Sequence, residues 1–272
     1  MEIGHGRLEP QWGLMRAASI GAVLSGALVL SGSALTAAPA ASAAETGVEI
    51  KKVSVNGGKA VVFGTSRTES FTISVTASDD SGINPRGHRF LGIDREVGDD
   101  FWTFHGTPTC TASSTTPTTS TCKLTVRLES DIDLPRNTLA GPWKVKVQLT
   151  AKDGDYYGET YGTHPVQRRS TLNVNASPEP VTKGGTITVT GKLARANWDK
   201  YVYAGYTNQP VRLQFRPKNS STYTTVKTVT SNSTGNLKTT TQATADGYWR
   251  WNFAGTSTTP AVVATGDYVD VR

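Results

Sequence analysis

Short segments in which apolar and polar residues alternate recur along the chain after residue 45. Successive side chains of a β-strand point to opposite faces of a sheet, so this period of two predicts strands with one buried face. The clearest segments are residues 71–77, 124–128, 143–149, 187–190, 211–215 and 249–253. Gly- and Asn-rich turns separate them, and no window after residue 45 has the spacing of an amphipathic helix. The pattern predicts an all-β protein of antiparallel β-sandwiches.

The first 44 residues follow a different pattern. Arg16 precedes an apolar run at residues 17–30 and a tail of Ala and Ser at residues 40–44, with Met15 as a second candidate start. This is the layout of a secretory signal peptide with an A-x-A cleavage site. The run is shorter than the roughly 20 residues of a membrane span, although an N-terminal anchor helix is the alternative. We expect residues 1–43 to be an N-terminal extension and signal peptide, and the mature chain to be secreted, extracellular and free of the membrane.

Two prolines mark a predicted boundary between domains. Pro178 and Pro180 lie in residues 175–180, a composition typical of a short extended linker. On each side of it, a Gly turn leads into an alternating strand that starts with an aromatic residue, after Gly141 and after Gly247. We therefore predict two sandwiches of one architecture in tandem, residues 44–175 and residues 176–272.

The net positive charge of the chain after residue 44 comes entirely from its C-terminal part. Residues 45–175 contain 15 basic and 15 acidic side chains, whereas residues 176–272 contain 11 basic and 5 acidic ones. Such a surplus serves solubility or attracts an anionic polymer. No run of Lys and Arg is longer than a pair, so the sequence does not predict binding of nucleic acid.

Cys110 and Cys122 are the two cysteines of the chain. In an oxidising compartment two such cysteines are expected to form a disulfide. The intervening segment is rich in Ser, Thr and Pro and has little to bury. We therefore predict a bridge that holds the tip of a hairpin, and neither a thiol nucleophile nor a metal site.

Residues 178–272 resemble the immunoglobulin-like module that recurs in secreted actinobacterial proteins. The stretches that carry the resemblance are residues 180–193, 209–215 and 246–250. Residues 45–175 resemble exported immunoglobulin-like domains mainly through residues 143–151. The resemblance implies two immunoglobulin-like antiparallel β-sandwiches in tandem and says little about function. Some exported actinobacterial proteins of this kind are labelled calcium-binding, which directs attention to the acidic residues.

Acidic residues form close pairs in several predicted turns, and we take two pairs as candidate Ca²⁺ ligands. They are Asp131 with Asp133, and Asp153 with Asp155. Residues 153–164 begin like an EF-hand loop, but position twelve is His164 instead of Glu. The alternative is that these acids only favour turns.

An aromatic and basic stretch supplies the candidate ligand-binding residues. They are Trp198, Tyr201, Tyr203 and Tyr206, with Lys200 and Arg195. Exposed aromatic rings beside cations can stack on sugar rings and hold acidic polymers. The alternative is a loop that its aromatic residues attach to the edge of the sandwich. By contrast, Trp249, Trp251 and Phe253 share one strand face and are predicted to lie in the core.

No catalytic motif stands out in the sequence. It contains neither His-Glu-x-x-His nor Gly-x-Ser-x-Gly, and we expect no catalytic residues and no enzyme. The sequence favours an exported, non-catalytic interaction or structural module that engages a cell-wall polymer, a carbohydrate or another exported protein. A calcium-binding extracellular protein is the alternative, and a small secreted hydrolase is the second alternative.

Overall fold

The computed structural model describes residues 47–272. The predicted signal peptide and its cleavage site lie outside the described residues. None of the helices in the described residues is long and apolar enough to cross a membrane.

Nearly all of the regular structure in residues 47–272 is β-structure, as predicted. One short helix, α1, covers Ser130–Asp133, and single 3₁₀ turns cover Asn56–Gly58 and Asn137–Leu139. The strands are β1 (Glu49–Val55), β2 (Val61–Phe63), β3 (Thr68–Ser78), β4 (Arg89–Val97), β5 (Asp100–Gly106), β6 (Thr109–Ala112), β7 (Thr119–Glu129), β8 (Gly141–Thr150), β9 (Tyr156–Arg168), β10 (Ser170–Leu172), β11 (Asn175–Ser177), β12 (Gly185–Asn197), β13 (Val202–Gly205), β14 (Pro210–Pro217), β15 (Thr224–Thr230), β16 (Asn236–Ala243), β17 (Gly247–Phe253), β18 (Val262–Val263) and β19 (Asp267–Val269).

Strands β1 to β9 form the first sandwich. One sheet has the order β1-β3-β7-β6, and the other has the order β2-β9-β8-β4-β5, with β2 parallel to β9. These are the ABED and C′CFG sheets of an immunoglobulin-like domain, with the first strand split between the two sheets. The predicted fold class is therefore confirmed.

Strands β10 to β19 form the second sandwich. The N-terminal part of β12, residues 185–192, pairs with β11 and β16. The facing sheet has the order β15-β14-β17, and β18 and β19 pair with the other edge of β17. The C-terminal part of β12, residues 193–197, pairs with β10 and β13 instead. Residues 47–272 thus form two immunoglobulin-like sandwiches in tandem.

The strand pairing changes before the predicted linker. Ser170, Thr171 and Leu172 lie within the predicted first domain, residues 44–175, yet they pair with β12 of the second sandwich. Sequence alternation identifies a strand but not its partner, because partners come from distant parts of the chain. The change of sandwich falls between Arg168 and Ser170, ahead of the prolines at 178 and 180.

The alternating segments form the cores. In β8, Trp143, Val145, Val147 and Leu149 are buried while the residues between them are more exposed. In β17, Trp249, Trp251 and Phe253 are buried in the second core, as predicted.

A hairpin from the second sandwich reaches into the first one. We call residues 194–205, which contain the C-terminal end of β12 and all of β13, the arm. Ala196 and Trp198 of the arm belong to the first hydrophobic core. The indole Nε1 of Trp198 donates a hydrogen bond to the carbonyl of Gly64 at 2.9 Å, and its backbone N–H donates to Asn137 Oδ1 at 2.8 Å. The arm joins the two sandwiches.

Candidate functional site

The predicted aromatic stretch covers the arm and Tyr206, which follows the arm directly, and two of its four aromatic rings are buried. Trp198 is 0% exposed and Tyr206 is 8% exposed, so the prediction that they form an exposed stacking surface is wrong. The indole removes a large apolar area from water by packing in the first core, which is more favourable than exposure at a loop tip. These two rings follow the alternative interpretation, in which aromatic residues attach the segment to the protein.

The tip of the arm keeps the exposed members of the predicted set. Tyr201 and Tyr203 are 42% and 41% exposed, and Lys200 is exposed beside them. Tyr201 occupies the turn of the hairpin with a φ of 53°. The structure thus divides the six candidates, leaving three at the tip of the arm.

Arg195 is part of the packing at the base of the arm. Its guanidinium carbon lies 3.8 Å from the centre of the Tyr206 ring, and Nη1 donates to Thr259 Oγ1 at 3.2 Å. Burial lowers the pKa of Arg195. Burial and the charge of Arg195 also lower the pKa of the neighbouring Arg168 to about 10. We assign Arg195 to this packing instead of to the exposed tip.

A second aromatic and cationic group, which the sequence analysis did not predict, lies on the outer face of the β14–β17 sheet. We call Arg216, Tyr223, Tyr248, Arg250 and Tyr268 the Arg–Tyr ladder. The Arg250 guanidinium carbon lies 3.6 Å from the centre of the Tyr223 ring, and that of Arg216 lies 4.1 Å from the Tyr248 ring. The rings of Tyr248 and Tyr268 follow with centres 5.2 Å apart. Rings and guanidinium groups therefore alternate across three strands and one loop.

Strand register places these side chains on one face. Arg216 is opposite Tyr248, and Tyr248 is opposite Tyr268. The core positions Trp249, Trp251 and Phe253 force their neighbours in β17 to face outward. This alternation was the available signal: it placed Arg250 on the outer face, but it could not show which rings lie beside it.

Hydrogen bonds orient one guanidinium of the ladder. Arg250 Nε donates to Gln214 Oε1 at 2.9 Å, and Asn252 Nδ2 donates to the same oxygen at 3.3 Å. Within residues 47–272, neither Arg216 nor Arg250 forms a salt bridge. Both cations therefore keep charge that no carboxylate of the described chain neutralises.

The candidate metal ligands fall into two separate places. Asp131 and Asp133 lie in α1, where Asp133 Oδ2 accepts a hydrogen bond from the backbone N–H of Glu129 at 2.7 Å. Asp153 and Asp155 lie between β8 and β9 and come together with Asp79, which follows β3. Of the two predicted pairs, the second alone joins a group of three acids in the described part of the chain.

The predicted disulfide is confirmed. Cys110 and Cys122 are directly paired residues of β6 and β7 and are bonded to each other. Cys122 is fully buried in the first core, whereas Cys110 is partly exposed. The bridge therefore ties the edge strand β6 to the core.

No protein-family model and no curated protein matches the chain. Among solved structures, it is similar to the fibronectin(III)-like modules of Clostridium thermocellum CbhA, with 12% identity over 81% of this chain and 93% of that chain and a TM-score of 0.33. Yersinia pseudotuberculosis adhesin InvE gives 15% identity over 80% of this chain and 58% of that chain, with a TM-score of 0.27.

Dimeric latent PorU from Porphyromonas gingivalis gives 13% identity over 86% of this chain, with a TM-score of 0.30. The match spans 21% of the length of PorU. At these identities and TM-scores the similarities carry no argument about function.

Proposed function

We propose that the protein is an exported, non-catalytic binding module that holds an anionic cell-wall polymer against the Arg–Tyr ladder of its second sandwich. The observation that carries the proposal is the alternation of guanidinium groups and aromatic rings on one sheet face. It replaces the sequence prediction that the arm supplies the main binding surface, because Trp198 and Tyr206 are buried.

The ladder combines the two kinds of contact that a charged sugar polymer requires. Tyrosine rings offer flat faces on which sugar rings stack. A guanidinium presents a planar fork of donors that matches phosphate or carboxylate oxygens in a bidentate way. Arg216 lies between the rings of Tyr223 and Tyr248, and Arg250 is held by the Tyr223 ring and Gln214, so that less side-chain entropy is lost on binding.

The net positive charge of residues 176–272 also supports the proposal that this face binds an anionic polymer. Residues 176–272 carry 11 basic and 5 acidic side chains, which favours the approach of an anionic polymer. Lys218 extends the ladder, with its Nζ 5.5 Å from the centre of the Tyr268 ring and 3.7 Å from Asp246 Oδ2. A hydrogen bond with Tyr268 raises the pKa of Lys218, so that its charge persists above neutral pH.

Replacing Arg250 with Gln tests this function in the full chain. Arg250→Gln should weaken retention on isolated cell wall by at least about tenfold, since a hydrogen bond to a charged group contributes about 1.5–3 kcal/mol. Wall retention of the wild-type protein should also fall as the salt concentration rises from about 0.05 to 0.5 M, because exposed charges are screened. Retention is measured by co-sedimentation with wall preparations that keep or lack their anionic polymers.

Arg127→Gln is the matched control. Arg127 is an exposed arginine of β7 on the first sandwich, far in sequence from the ladder, and the control removes the same charge. Equal losses for the two variants, or retention that neither salt nor removal of the anionic polymers changes, would count against the proposal. The ladder would then be a device that only stiffens the sheet.

A further inference from the structure

Two loops at one end of the first sandwich bring three carboxylates together. One loop, residues 79–82, follows β3, and the other, residues 151–155, follows β8. Lys152 N–H donates to the Gly82 carbonyl at 2.9 Å, and Asp153 N–H donates to Ser81 Oγ at 3.2 Å. These hydrogen bonds fix the two loops against each other. The positions of the carboxylates therefore depend on backbone contacts and not only on side-chain rotamers.

Asp79 is the buried member of the group. It is 4% exposed, and its Oδ1 accepts hydrogen bonds from the N–H of Ser81 at 2.9 Å and from the hydroxyl of Ser81 at 2.6 Å. Its other oxygen, Oδ2, is buried and has no hydrogen-bond partner in the described protein. A buried carboxylate oxygen without a partner is costly, and a cation bound beside it would remove that cost.

Asp153 and Asp155 are the exposed members of the group. One oxygen atom from each of these residues and one from Asp79 lie within 4.8 Å of one another. Three negative groups are thus held close together, at a cost that a cation would remove.

No basic residue of the described chain neutralises the group. Across residues 47–272, none of Asp79, Asp153 and Asp155 takes part in a salt bridge. Lys152 is the one basic residue of these two loops, and its Nζ lies beside Gly82.

We propose that Asp79, Asp153 and Asp155 form a Ca²⁺ site at this end of the first sandwich. Ligands that are all carboxylate oxygens select a hard cation, and the group contains neither His nor Cys. The three ligand oxygens lie within 4.8 Å of one another, so small rotations of the exposed Asp153 and Asp155 side chains bring all three within the roughly 2.3–2.6 Å that Ca²⁺ requires. The exposed side of the group leaves room for the water ligands that complete six to eight oxygens around Ca²⁺.

The identity of the ion follows from size and rigidity. Mg²⁺ requires near-ideal octahedral geometry at about 2.0–2.1 Å, which three carboxylates from two loops do not impose. Ca²⁺ accepts irregular geometry, and we expect the affinity range of extracellular modules, a Kd of about 10⁻⁴–10⁻³ M. The site is independent of the Arg–Tyr ladder, which lies on the other sandwich.

Calorimetric titration of the purified protein with CaCl₂ tests the site, after removal of bound ions with a chelator. We expect saturable binding of one ion with a Kd below about 1 mM, and a higher Tm in Ca²⁺ than in the same concentration of Mg²⁺. Asp155→Asn should raise the Kd at least tenfold while leaving the fold unchanged, because this side chain is exposed. Asp79→Asn should abolish binding.

Asp131→Asn is the matched control, because Asp131 is an exposed acid of the same sandwich outside the group. It should leave the Kd unchanged. The site is refuted if the wild-type protein shows no saturable binding up to about 10 mM CaCl₂, far above the affinity range of such modules. It is equally refuted if Asp131→Asn weakens binding as much as Asp155→Asn, which would show that the ion only screens the surface.

Discussion

Replacing Trp198 with Ala is expected to lower the free energy of unfolding by about 3–5 kcal/mol, as for other fully buried tryptophans. The residue belongs to a strand-to-strand hairpin of the second sandwich, yet its ring packs in the first core. The substitution leaves a cavity there and removes the hydrogen bond from Nε1 to the Gly64 carbonyl. The loss should appear in the first sandwich, measured by urea denaturation and by faster hydrogen exchange of the β2 amides.

Tyr201→Ala is the control for this prediction, because Tyr201 lies in the same arm but is exposed. A substitution of an exposed side chain should change stability by no more than about 0.5 kcal/mol. If Trp198→Ala destabilises the protein no more than Tyr201→Ala does, the arm is not packed in the first core as described.

The packing of Trp198 is one of several contacts that join the two sandwiches. Asn137 donates its backbone N–H to Asp199 Oδ1 at 3.0 Å, and Arg169 forms an ion pair with Glu69 at 2.5 Å. Separating the chain at residue 175 would expose Trp198 and open the first core. Binding experiments on this protein are therefore better done with point variants of the whole chain than with separated halves.

The strands were predictable because their signal is local. In β8 and β17, each residue alternates between a buried and a more exposed face, and this period can be read from seven consecutive residues. Two sandwiches follow from the number and spacing of such segments. The disulfide was also predictable, since the chain has two cysteines and few alternatives.

The arm was not predictable because the signal for burial is not local. An aromatic and basic segment has the same composition whether it is an exposed loop or a packed hairpin. What buries Trp198 is the position of Gly64 and Asn137, which lie on the other sandwich and far away in sequence. The same reason explains the pairing of β10 with β12, which no pattern within residues 170–172 could reveal.

The group of Asp79, Asp153 and Asp155 shows how much of a site can be predicted from the spacing of residues in the sequence. Asp153 and Asp155 were identified because two acids flank a glycine in one turn. Spacing could not connect Asp79 with them, because β3 and β8, the strands that end beside these two turns, lie in different sheets and far apart in sequence. The bridge between Ile83 and Ala151 brings the two loops together, and only the folded chain contains that contact.

Cys110→Ser is expected to lower the free energy of unfolding of the first sandwich by about 3 kcal/mol, because the bridge closes a short loop in the unfolded chain. The bridge spans 12 positions, and the residues between the cysteines contribute little to the core. Cys122→Ser should cost more by about 1–3 kcal/mol, since it places a hydroxyl without a partner at a fully buried position. Urea denaturation of both variants measures the difference.

The second sandwich should remain folded in Cys110→Ser, because strand β6 pairs with β7 alone and with no strand of the second sandwich. Hydrogen exchange at the β12 and β16 amides, which should keep wild-type protection, checks this locality. Free thiols that react at both positions in the native protein would contradict the bridge itself. Loss of protection in β12 and β16 together with the first sandwich would show instead that the arm transmits unfolding between the sandwiches, so that the two cores melt as one unit.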